Sequence, residues 1–101
     1  MNIYCDPEKF GLTILCMMDT GASYEFDMLV VWQDRDGNVY YAEDSGCSCP
    51  APFSGHGLDS LIKITEHDFL AFENHVYHKD APLYEKLNLI QVVAKAMEGG
   101  K

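Results

Sequence analysis

Basic residues are scarce in this sequence: its 101 residues hold 7 Lys and Arg against 16 Asp and Glu, a formal net charge of −9. Binding to phosphate backbones needs clustered cations, so direct nucleic-acid binding is excluded as a mode of action, and attraction to an anionic membrane surface with it. Long hydrophobic runs are missing too. The candidate run Leu29 to Trp32 is strand-sized, far short of a bilayer span. The opening Met1-Asn2-Ile3-Tyr4-Cys5-Asp6-Pro7 has no basic stretch followed by an apolar one, so it does not read as a signal peptide and the expected location is the cytosol. No glycine-rich phosphate loop, Ser-His-Asp order or metalloprotease helix motif occurs. Internal repeats and long linkers are absent as well.

What is present reads as one globular domain spanning 1–101. Hydrophobic residues make up 48% and charged residues 23%, enough for a single core and unlike a disordered tail. Of the four cysteines, Cys16 sits in an apolar run and is expected to pack as a small hydrophobe. In a reducing cytosol the default for the others is free thiol, with a disulfide or a metal as alternatives.

The pattern predicts an α+β fold: a three-stranded antiparallel β-meander, then a Cys/Pro/Gly loop, then two C-terminal helices packed on the sheet. Residues 1–10 form a tethering arm anchored by Phe10. Gly11 to Met18 is β-branched and apolar, a strand. Tyr24 to Gln33 alternates, placing Tyr24, Phe26, Met28, Val30 and Trp32 on one face and Glu25, Asp27, Leu29, Val31 and Gln33 on the other. Asp36-Gly37 between two apolar strands signals a hairpin into Val39–Glu43. Leu61 to Ile64 is a short strand or a link. Thr65 is the expected cap of a helix reaching about His78, with Phe69, Phe72 and Val76 as its apolar stripe. Asp80 and Pro82 begin a second helix that buries Leu83, Leu87, Ile90, Ala94 and Met97 and stops at Gly99-Gly100.

Several constellations could carry chemistry. Cys47 and Cys49, one residue apart, could hold zinc with His56 and one further ligand from Cys5, His67 or His75. The spacing matches no common zinc pattern, and the bland alternative is a rigid loop with packed or free thiols. A nucleophilic Cys47 or Cys49 beside His56 lacks an orienting third residue. Asp34-Arg35-Asp36-Gly37-Asn38 has its glycine fourth and strands on both sides, so a hairpin turn outweighs a calcium loop. His67, His75 and His78 fall within one broad helical face; a solvated surface outweighs a shared metal. The acids Asp19, Glu25, Asp27, Asp34, Asp36, Glu43 and Asp44 crowd the meander against the single base Arg35. They either guard sheet edges or form an acidic docking face, in the extreme a mimic of nucleic-acid phosphates that inhibits a DNA-binding protein.

Val30-Val31-Trp32, Asp36-Gly37-Asn38, Tyr40-Tyr41-Ala42, the run Asp44-Ser45-Gly46-Cys47-Ser48-Cys49-Pro50 and Pro52-Phe53 together resemble a family of small uncharacterised proteins from tailed bacteriophages of actinobacteria. The opening Tyr4, Pro7 and Phe10-Gly11-Leu12 fits as well, so the resemblance covers the first half of the chain. It implies a phage accessory protein in the cytoplasm of a bacterial host, and carries over no catalytic residue.

The expectation is therefore a non-enzymatic binder or modulator of a host or phage protein, with no cofactor, no nucleic acid and no membrane, and with homo-oligomerisation open. Its expected contact residues are Asp34, Asp36, Glu43, Asp44, Ser45, Gly46, Pro50 and Phe53. Charge reversal at Asp34 and Asp36 should weaken binding without unfolding. The alternatives are a zinc-stabilised module using Cys47, Cys49 and His56, and the acidic mimic.

Overall fold

A computed structural model of the chain describes residues 2–21, 25–47 and 52–99, and for Cys47 the backbone only. The fold is α+β. An antiparallel sheet of four strands, β1 (Leu12–Asp19), β2 (Glu25–Asp34), β3 (Val39–Cys47) and β4 (Ile62–Ile64), runs in the order β1-β2-β3-β4. Two helices follow, α1 (Phe69–Tyr77) and α2 (Leu83–Gly99). The expected three-stranded meander thus gains β4, whose Ile62, Lys63 and Ile64 pair with Tyr41, Tyr40 and Val39.

The alternation in β2 sorts its residues onto two cores. Leu29 and Val31 join Met18, Val39, Ile64, Phe72, Val76, Leu89, Ile90 and Val93 under the helices. Met28, Val30 and Trp32 join Ile3, Leu12, Ala42 and Phe53 on the opposite face. The sheet is therefore covered on both sides, which is why the middle of β2 is buried residue after residue. In β1 a bulge interrupts the register between Ile14 and Cys16. A strand's side-chain period is two, so one extra residue moves everything after it to the other face. Leu12 and Ile14 accordingly pack with Trp32, whereas Cys16 and Met18 pack under the helices. The arm reaches the second core through Ile3 more than through Phe10: Ile3 is fully buried, and the Trp32 indole N–H donates to its carbonyl at 2.9 Å.

The β2–β3 turn is closed by Gly37 N–H donating to Asp34 O and Asp34 N–H donating to Asn38 O. This is the three-residue hairpin loop in which the last residue takes positive φ, here Gly37 at 90°. At the β1–β2 turn, a Cβ on Gly21 would lie 2.5 Å from the Glu25 carbonyl oxygen, so no larger residue fits.

Two helix expectations are corrected. α1 starts at Phe69, not after Thr65. Thr65 instead closes a turn with Asp68, accepting from its N–H at 3.0 Å and donating from its hydroxyl to the Asp68 carboxylate at 2.6 Å. In α2 the buried positions are Leu89, Ile90 and Val93, while Leu83 is 61% and Leu87 40% exposed. The spacing of Leu83, Leu87 and Ala94 traces the flank of the core-facing arc. With Tyr84, Leu83 and Leu87 leave an apolar corner in solvent beside Tyr77 at the end of α1.

Candidate functional site

Four of the nominated contact residues, Asp34, Glu43, Asp44 and Phe53, are engaged within the fold. Asp34 is a turn organiser: its carboxylate accepts from Asp36 N–H (3.0 Å), Asn38 N–H (2.9 Å), the Asn38 amide (3.1 Å) and the Tyr40 hydroxyl (2.9 Å). Partial desolvation pushes its carboxyl up, but these donors together outweigh it and hold the group below the usual carboxylate range. Its carboxylate thus serves the hairpin turn, and charge reversal at Asp34 would remove these bonds. Asp36 is exposed.

Asp44 accepts the Phe53 backbone N–H at 2.7 Å. Phe53, nominated as a contact residue, is fully buried, packed edge-on to Trp32 and stacked on Tyr4. It plugs the second core and offers no surface to a partner. Ser45 and Gly46 are exposed at the end of β3. Pro50 and Cys49 lie outside the described residues, as does the Cys47 side chain. Of Cys47, Cys49 and His56, only His56 therefore has its side chain placed. Its Nε2 faces Asp44 Oδ1 at 3.6 Å, and its buried Nδ1 has no hydrogen-bond partner among the described residues. Among the described residues, no three His, Cys, Asp or Glu side chains stand together as a metal site.

Glu43 occupies the middle of a polar bridge that sequence reasoning did not foresee. It projects from β3 toward α1, where His75 Nε2 donates to Oε1 at 2.6 Å and the Lys79 ammonium donates to Oε2. Burial pushes the Glu43 carboxyl up, but Lys79 and His75 outweigh it and keep the carboxyl below its ordinary value. The bridge fixes α1 over the sheet and sets the orientation of the His75 ring. His78 turns elsewhere, its Nδ1 on the Asn74 carbonyl at 2.7 Å, so the two histidines do not face a common ligand. No local pattern could reveal this site: Glu43 and His75 are separated by 32 positions.

Beside the bridge a cleft of about 320 Å³ opens between β4 and α1, lined by Tyr41, residues 62–64, Asp68, Ala71, Phe72 and His75. Buried Ile64 and Phe72 line its inner side, and Ile62, Ala71, Asp68 and His75 are exposed around it. A more open depression of about 250 Å³ lies between Phe69 and the Ala94–Met97 flank of α2, with Glu66 and Glu98 beside it. The cleft at β4 differs in combining an apolar floor, a fixed imidazole, a carboxylate and the border of the sheet.

A family model described as "Domain of unknown function (DUF7574)" matches residues 1–98. The chain belongs to this family. The match takes in the meander, the Cys-Pro loop, β4 and both helices, so the Glu43 bridge and the cleft lie wholly within the family's domain. No curated protein and no solved structure matches the chain.

Proposed function

We propose that the protein is a non-enzymatic binding module that docks on a host or phage protein in the bacterial cytoplasm, and that its contact surface is the cleft between β4 and α1. The observation that carries this reading is the cleft's construction: a concave, partly apolar recess bordered by one carboxylate and one oriented imidazole, at the rim of a sheet. Such mixed recesses suit recognition of a side chain. The cleft lining contains no Ser, Thr or Cys nucleophile, and its histidine is engaged with Glu43. The acidic hairpin is the weaker contact surface because Asp34, Glu43 and Asp44 are all spent on internal bonds.

The test is affinity capture from host lysate, quantified by mass spectrometry, with the wild-type chain and with Ala71→Glu. Ala71 is exposed on a helix, so the substitution blocks the cleft at little cost to folding. A partner held by the wild type and lost from the variant supports the reading; equal capture by both overturns it.

A zinc-stabilised loop is a second reading, favoured by His56. Metal-ligating histidines commonly turn one ring nitrogen to a carboxylate and leave the other for the ion. His56 presents Nε2 to Asp44 and an unpartnered, buried Nδ1. Native mass spectrometry discriminates: a mass equal to the bare chain removes this reading.

A further inference from the structure

The hydrogen-bond parity of the sheet can be followed from the hairpin to its border. Asp34 N–H donates to Asn38 O, so the polar backbone groups of Asn38, Tyr40 and Ala42 point toward β2. Those of Val39 and Tyr41 therefore point toward β4. In an antiparallel ladder, directly opposed residues either exchange both hydrogen bonds or exchange none. Val39 faces Ile64 and Tyr41 faces Ile62, so Ile64 and Ile62 spend their backbone groups on β3. By the same alternation the N–H and C=O of Lys63 point outward from the sheet. The same parity places the side chains of Ile62 and Ile64 on the helix side, at the cleft, and that of Lys63 on the opposite face with Tyr40.

Resting on the docking reading above, we propose that the cleft takes an extended segment of a partner protein by strand addition to β4, with an Arg or Lys of that segment entering the cleft toward Asp68. The residue of the incoming strand that bonds to Lys63 points away from the helices. Its two neighbours point toward the cleft. A volume of about 320 Å³ admits a long side chain. Ile62, Ala71 and Phe72 would cover its methylene stem. Asp68 supplies the counter-charge, and the Thr65 hydroxyl holds its carboxyl below the ordinary carboxylate value. A chain of net charge −9 also draws a basic segment in and repels a second copy of itself.

The opposite border, β1, is less suited because the bulge at Leu15 breaks its ladder. The shortness of β4 limits backbone bonding to the Lys63 pair and its flanks, so the cleft side chain must carry much of the affinity.

The test selects random short peptides from a display library on the wild-type protein, with counter-selection on Ala71→Glu, and maps the recovered peptides by amide chemical shifts on isotope-labelled protein. The expected peptides carry Arg or Lys among β-branched residues. They should perturb residues 62–64, Ala71 and His75, and bind about tenfold more weakly to Asp68→Asn. Failure to enrich any peptide, enrichment of acidic peptides, or perturbation confined to the Tyr77, Leu83, Tyr84 and Leu87 corner overturns the proposal. If partner capture still depends on Ala71 while no peptide is selected, strand addition fails and the docking reading stands. If capture is indifferent to Ala71, the docking reading fails first.

Discussion

The Asp44 carboxylate accepts a 2.7 Å hydrogen bond from the backbone N–H of Phe53, whose φ is 62°. Positive φ in a bulky residue is uncommon and costs conformational energy. Here the bond from β3 and the fit of the ring between Tyr4, Trp32 and His56 hold it in place. Phe53 is in this sense part of the second core.

Phe53→Ala should therefore destabilise the protein by about 3–5 kcal/mol, the range for emptying a buried aromatic site. Asp44→Ala should give a smaller loss. Chemical denaturation followed by Trp32 fluorescence would read both, since the indole packs edge-on against the Phe53 ring. A loss below about 1 kcal/mol at Phe53 would contradict the packing role.

Asp34 and Asp36 should part company under mutation. Asp34→Ala removes the acceptor of four hydrogen bonds at the hairpin turn and should cost about 1–3 kcal/mol. Asp36→Ala, at an exposed position, should stay within about 0.5 kcal/mol of wild type. Equal effects at the two positions in urea denaturation would contradict the assignment of Asp34 as the turn organiser.

Stability should fall off at both ends of the pH scale. Glu43 and Asp34 have carboxyls lowered in the folded state, so their contribution is complete above ordinary carboxylate values and is lost as pH falls through the lowered ones. Burial pushes the Cys16 thiol from 9.0 up to about 12, so its contribution is complete below 9.0 and is lost as pH rises toward 12. Burial also raises Tyr40 and Tyr41, with the same sign. Glu43→Gln should flatten the acid limb of a urea-midpoint profile, and Cys16→Ala the alkaline limb. In site-resolved alkylation at neutral pH, exposed Cys5 should react well before Cys16.

The two faces of β2, the Asp-Gly hairpin and both helices could be read from the sequence because each rests on local periodicity or turn chemistry. The flip of β1 was hidden, since a bulge leaves the run Ile14-Leu15-Cys16 uniformly apolar. The start of α1 is not legible locally, because Thr65 and Asp68 can close a turn as readily as cap a helix. The spacing of Leu83 and Leu87 continues the stripe through Ile90, although both side chains stand in solvent. Glu43 stands out in the sequence by its charge alone. Its partners His75 and Lys79 stand 32 and 36 positions away, and the burial of Phe53 depends on packing against Tyr4 and Trp32; no spacing rule encodes such contacts.

Amide hydrogen exchange resolved by residue reads the outward-facing backbone of Lys63 directly, in the free protein and again with the captured partner. Lys63 should exchange faster than Ile62 and Ile64 in the free protein and slow on binding. A Lys63 amide already protected in the free protein, or unchanged in the complex, would contradict strand addition at β4.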